Sequence, residues 1–319
     1  MKDQIRTDVE RLALPGGRAV GTQGHEAARH YLHQRLRELQ LQPYAGESFE
    51  LPYRAHGIAF TNLVGRLPGQ SAGLNPLLIG AHYDTCGSTP GADDNAAAVA
   101  VVLSAAKRLA AVGLKRDLIV AIFDAEEPPH FLQDSMGSIT FYQRQKTGPV
   151  DCAFILDLVG HDVPIKGIEP LLFITGMESH PQLEKVLLET AMDDRIKVVT
   201  TLNDYVGDMS DHHIFRTNGV PYLFFSCGRW QHYHMPTDTP DKLNYDKIEA
   251  ITGSLVEVVR GCDARPFSPA DRAYDSTPTE VLFMERSLGP LLKARGVAPP
   301  QSRADLDKIA ALLLAQFRL

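Results

Sequence analysis

A chain of 319 residues with 44% hydrophobic content can bury a full core, as one large α/β domain or as a domain with an appendage, and is not expected to be disordered. A formal charge of -7 and a pI near 5.9 leave no basic surplus, which argues against nucleic acid or an anionic membrane as the main partner and leaves small or peptide-sized substrates. Cys86, Cys152, Cys227 and Cys262 are scattered without a CxxC pair, so neither a disulfide scaffold nor a cysteine zinc site is expected.

The N-terminal stretch MKDQIRTDVERLAL is charged throughout and lacks the apolar core of a signal peptide, and no apolar run is read as reaching the roughly 18 residues of a membrane span. A cytoplasmic location is the expectation. Thr22 to Gln40 reads as a helix with Thr22 as N-cap and Ala28, Tyr31, Leu32, Leu36 and Leu39 along one side. His25, His30 and His33 on that helix are expected to be structural or solvated. Strands are expected near 48–52 and 58–67.

Leu77 to Ala81 suits a buried strand and ends in His82-Tyr83-Asp84, where the two-residue spacing puts His82 and Asp84 on one face of an extended backbone. That is the arrangement of a ligating imidazole held by a carboxylate. A Gly- and Pro-rich loop then delivers Asp93, Asp94 and Asn95 to a helix expected over 95–112. The run from Asp117 to Phe123 repeats the theme and ends in Glu126-Glu127, and Cys152 to Leu158 carries Asp157 inside an apolar stretch. An unpaired carboxylate there is costly to bury, and a cation is the favoured compensation. Helices are expected over 138–146, 182–192 and 245–262, with a short one opening at Ser210-Asp211-His212-His213, and strands over 171–175, 196–200 and 220–226. The last of these strands is followed by a polar stretch with His234. After Asp263 prolines interrupt the pattern, and two helices are expected over 279–295 and 303–317, the second packing on the main domain.

Alternating strands and helices predict a three-layer α/β/α fold with a central, mostly parallel mixed sheet. Ligands of such sheets bind beyond the carboxyl ends of the strands, and His82, Asp84, Asp94, Glu126, Glu127, Asp157 and His234 all fall there. Two histidines with several carboxylates suit zinc or cobalt, in number enough for two ions sharing a carboxylate. A two-metal site that activates water needs a base, and Glu126 or Glu127 is the natural supplier.

The motifs HYD (82–84), PGADDNA (90–96), FDAEEPP (123–129), LDLVG (156–160), SDH (210–212) and YHMPTDT (233–239), in order, resemble the M28 family of zinc aminopeptidases over roughly Arg18 to Val259. The resemblance implies one zinc held by His82 and Asp157, a second by Glu127 and His234, and Asp94 bridging them, with cobalt or manganese as possible substitutes. Glu126 would be the general base and Asp84 would orient His82. The resemblance also implies a cis peptide between Asp94 and Asn95. One departure stands out, since Gly137-Ser138 follows the glutamate pair only after a long, proline-containing loop; Tyr205 lies near the offset of the tyrosine that sometimes contributes to the family's oxyanion site and is assigned no role.

The expected activity is metal-dependent removal of N-terminal residues from peptides. A single-zinc glutaminyl cyclase is the rival on the same fold, although Tyr233 stands where cyclases carry Trp. A non-catalytic binding module is the alternative from another class. The expected organisation is a zinc-peptidase-like domain over 1–265 and a helical extension over 266–319.

Overall fold

The segments Leu77–His82, Leu118–Phe123, Cys152–Leu156 and Tyr222–Ser226 are buried along their whole length, as strands covered on both faces must be. The computed structural model describes residues 2–267 and 274–317. Its strands are β1 (Gln42–Pro43), β2 (Glu50–Ala55), β3 (Ile58–Leu67), β4 (Leu77–His82), β5 (Leu118–Phe123), β6 (Cys152–Leu156), β7 (Leu171–Thr175), β8 (Lys197–Thr201) and β9 (Tyr222–Ser226). They form one mixed sheet in the order β1-β3-β5-β4-β6-β9-β7-β8, with β2 also paired to β3. The central run β5-β4-β6-β9 is parallel, and antiparallel pairings with β3 and β7 flank it. Four adjacent carboxyl ends therefore open on one edge.

The helices are α1 (Lys2–Leu12), α2 (Gln23–Glu38), α3 (Ala98–Val112), α4 (Gly137–Thr140), α5 (Pro181–Glu189), α6 (His212–Thr217), α7 (Tyr245–Asp263), α8 (Thr277–Ala294) and α9 (Arg303–Phe317). Strand alternation sorts the core into two faces: Leu77, Ile79 and Ala81 pack with α1, α3 and α7, whereas Leu78, Ile119 and Phe123 pack with Phe141, Ile214 and Phe215. A third cluster joins Phe173 and Val199 to Met284, Leu288, Leu306 and Ile309 of α8 and α9. Leu103, at the centre of α3, is fully buried. Leu103→Ala is expected to cost about 2–5 kcal/mol in chemical denaturation; a loss below about 1 kcal/mol would mean that α3 is not packed as described.

Several expectations change here. The N-terminal stretch is helical, because Ile5, Val9 and Leu12 recur at helical spacing and are buried beneath its charged face. Thr22 caps α2 as expected, its side chain accepting from the His25 N–H. The helix expected from 95 begins at Ala98 instead. Between Ala92 and Ala97 the backbone leaves helical geometry at Asp94 (φ -111°, ψ 82°) and Asn95 (φ -137°, ψ 33°), and the Asp94–Asn95 peptide is cis. Ala92–Val112 is also long and apolar enough to cross a membrane, with mean hydropathy 1.5, contrary to the reading of the runs; 72% of that window is buried inside the protein.

Candidate metal centre

His82 closes β4 with a fully buried ring. Its Nδ1 lies 3.3 Å from Asp84 Oδ1, as the spacing predicted, and its Nε2 lies 3.4 Å from Asp94 Oδ1, 3.6 Å from Asp157 Oδ2 and 3.8 Å from Glu126 Oε2. His234 comes from the loop beyond β9; its Nε2 is 3.2 Å from Asp94 Oδ2 and 3.0 Å from Glu127 Oε2. All seven sequence-predicted residues thus converge. Asp94 stands between the imidazoles with one oxygen toward each. Donor atoms of His82, Asp94 and Asp157 lie within 4.8 Å of one another, and so do those of Glu127, His234 and Cys86. No cysteine donor is expected from the sequence, and the fold brings the partly exposed Cys86 thiol beside the second cluster.

The supports of this rim are mostly backbone hydrogen bonds. Asp84 does more than face His82: its two oxygens accept the N–H groups of Glu126 and Glu127, each at 3.0 Å, tying the end of β5 to that of β4. Asp238 accepts from the N–H of Asp93 (2.9 Å) and of Asp94 (3.1 Å). Asp93 accepts from the N–H of Gly160 at 2.6 Å and of His161 at 3.1 Å, and pairs with His161 Nδ1 at 2.6 Å. The buried Arg18 guanidinium donates to the carbonyls of Leu12, Tyr83, Pro90 and Gly91, gathering the loop between β4 and α3. Gly91 makes that loop possible, since it has φ +63° and a Cβ there would sit 2.3 Å from the Asp94 carbonyl. Arg18, His161 and Asp238 carry no functional role in the sequence reading, and Asp93, read there only with Asp94 as a carboxylate pair, supports the loop after β6. Among the α2 histidines, His25 is structural as expected, 2.7 Å from Asp124 through Nε2 and stacked on Tyr83.

Charge crowding shows in the acid–base behaviour. Burial and then repulsion from Asp94 push Glu127 up to about 8, and burial with repulsion from Asp157 and Glu127 lifts Glu126 well above the carboxylate range despite the pull of His82. Burial also opposes ionisation of Asp94, but the two imidazoles hold it below the usual value. Burial pulls His82 down, yet attraction to Glu126 and Asp157 raises it well above the normal imidazole value. Asp211 of the SDH motif, given no role from the sequence, is fully buried in the same field and pushed up to about 7 by burial, with repulsion from Asp157 and Asp84 opposed by the pull of His82. Both ring nitrogens of His82, Glu127 Oε1 and Asp157 Oδ1 are buried without a hydrogen-bond partner. Orphaned donors and acceptors of this kind, in a nitrogen and oxygen set, fit divalent metal.

A cavity of about 290 Å³ opens beside the centre. Asp94, Glu126, Glu127, Asp157 and His234 form its acidic side, and Phe131, Phe173, Val206, Met209 and Phe224 contribute its apolar wall. Pro128 and Phe131, from the long loop that departs from the family pattern, line this pocket. It rejoins the body at Gly137, where a Cβ would come 2.2 Å from the Asp124 carbonyl. Tyr205 points elsewhere, its hydroxyl donating to Asp307 at 2.5 Å, whereas the Tyr233 ring stacks on His234.

The sequence model of peptidase family M28 matches residues 62–259. The chain belongs to that family. Two curated relatives are similar to it: the uncharacterized protein YfbL of Escherichia coli, 26% identical over 57% of this chain and 66% of that protein, and human endoplasmic reticulum metallopeptidase 1, 24% identical over 81% of this chain and 30% of that protein. The chain thus spans two thirds or less of these relatives. Among solved structures, a Zn-dependent exopeptidase from Parabacteroides distasonis shares this chain's fold at TM-score 0.64 and 16% identity, covering 82% of this chain and 98% of its own. A glutaminyl cyclase from Porphyromonas gingivalis does so at TM-score 0.65 and 19% identity, covering 81% and 97%.

Proposed function

We propose that this chain is a metal-dependent aminopeptidase that removes N-terminal residues from peptides, using two zinc ions in the two donor clusters. The observation that carries the reading is Asp94, whose oxygens face two separate imidazoles at 3.4 and 3.2 Å beside a pocket with an acidic mouth and an apolar wall. His82 and Asp157 would hold one ion, Glu127 and His234 the other, and Asp94 both. Zinc there, or cobalt or manganese in its place, supplies a Lewis acid that acidifies water and polarises a peptide carbonyl. Asp84 holds the backbone of the glutamate pair and faces His82 Nδ1 at 3.3 Å, placed to orient that ring once its other nitrogen ligates metal. Glu126 lines the pocket and belongs to neither donor cluster, which frees its carboxylate to take a proton from the attacking water and return one to the leaving amine. The acidic side favours the ammonium of a chain terminus, and the apolar wall accepts the first side chain, which together select the end of a peptide over its middle.

Metal analysis combined with a panel of aminoacyl-amides and N-terminal glutaminyl peptides tests this. Two equivalents of metal with amide hydrolysis are expected. One equivalent with ring closure would make the chain a cyclase, and neither activity on metal-replete protein would leave a binding module.

A further inference from the structure

The apolar wall of the pocket has a second side. Phe173 and Val206 line the substrate cavity on one face and, on the other, a void of about 30 Å³ shared with Val199, Met284, Ala310 and Leu313. Met284 belongs to α8, and Ala310 and Leu313 to α9. Both helices lie beyond residue 259, where the family match ends. The partition is thus one layer of side chains thick, with the C-terminal helices as its backing.

Those helices also hold the loop that carries Val206 and Met209. Tyr205 donates to Asp307 of α9 at 2.5 Å and accepts from Arg303 at 3.3 Å. Arg303 in turn reaches the fully buried Glu280 of α8 at 2.6 and 2.8 Å, and Ser276 donates to the same carboxylate at 2.7 Å. Glu280 takes a charge-assisted pair and a hydroxyl, so the buried carboxylate is satisfied and the link is stiff. On the sheet side Ser287 of α8 donates to the Val198 carbonyl in β8. The chain of contacts runs without a gap from the helix pair through Tyr205 to the pocket wall.

We infer that the two-helix C-terminal extension is the specificity element of this enzyme, setting the depth of the pocket for the first side chain by fixing the Phe173–Val206 partition and the loop behind it. The inference rests on the aminopeptidase reading for its substrate class, peptides with an apolar N-terminal residue. Tyr205 and Asp307 act through the wall and are positioning residues.

The test uses the full-length, metal-loaded protein and two readouts. Selectivity is the ratio of kcat/KM for leucyl- and phenylalanyl-amides, with alanyl-amide as the small reference. Binding of alaninol, leucinol and phenylalaninol by calorimetry gives the same ordering without turnover. Tyr205→Phe and Asp307→Ala should each lower the leucine-over-phenylalanine ratio by about 10-fold, the scale of a change in pocket size, mainly through KM and with metal content unchanged. Asp307→Asn keeps an acceptor for the Tyr205 hydroxyl and should stay near wild type. Met284→Ala, which deepens the void from behind, should shift the ratio in the same direction. If folded Tyr205→Phe, Asp307→Ala and Met284→Ala all retain wild-type ratios in both readouts, the extension does not set specificity. If no amide is hydrolysed but the binding order still shifts in these variants, the extension shapes the pocket and the aminopeptidase reading fails instead.

Discussion

Glu126→Gln is expected to leave metal content and fold nearly intact while lowering turnover by roughly 10² to 10⁴, the usual size of a general-base contribution. The substitution keeps the shape of the side chain and removes its ability to accept the proton. The supporting bond survives, because Asp84 holds residue 126 through its backbone N–H and not through its side chain. Glu127→Gln should behave differently, since Glu127 Oε2 is 3.0 Å from His234 and the side chain belongs to a donor cluster. Metal affinity should fall first there, with turnover recovering as metal is added. Metal titration and steady-state kinetics on both variants decide the matter. Near-wild-type turnover in metal-replete Glu126→Gln, or metal loss confined to that variant, would show the two roles to be exchanged.

Asp94→Ala should strip both ions, whereas His234→Ala should chiefly weaken one. The reason is geometric: Asp94 Oδ1 faces His82 and Oδ2 faces His234, so one truncation removes a donor from each cluster. The loss in affinity should exceed the 10- to 100-fold typical of removing a partner outside the ligand set, so the effect is placed at more than about 100-fold per ion. The backbone at this point is held independently by Asp238, which keeps the variant folded and the comparison clean. Metal content after dialysis, read beside the circular dichroism spectrum, gives the answer. Full retention of metal and activity in Asp94→Ala would remove the shared-ligand arrangement.

Much of this architecture could be read before any coordinates. The four central strands announced themselves as unbroken apolar runs because parallel strands are buried on both faces, and their polar successors marked one rim because ligands of such sheets gather there. The supports of the rim were not legible, for a physical reason. Asp238 acts on backbone N–H groups, and Arg18 on backbone carbonyls, so their partners carry no residue-type signature and lie far along the chain. The Asp93-Asp94-Asn95 run reads as a helix start, but the backbone leaves helical geometry at Asp94 and Asn95, and the regular α-helix runs from Ala98. Tyr205 illustrates the same limit from the other side: the apolar spacing over 303–317 predicts that this helix packs on the main domain, as it does, but not that Asp307 on it meets the Tyr205 hydroxyl.

The donors of the rim run from His82 to His234 and are carried by β4, β5, β6, β9 and the loops after them, so no single local segment of the chain contains the whole set. The unfolded polypeptide has no counterpart to it, and metal therefore binds the native state almost alone. By mass action an ion at about 1,000 times its dissociation constant adds about 4 kcal/mol to the unfolding free energy, a large share of the 5–15 kcal/mol typical of a domain. Such a centre is assembled from contacts of high sequence separation, which places its completion late in folding. The protein would then gain its full resistance to unfolding only as this centre is completed, and a chelator would act on it as a denaturant.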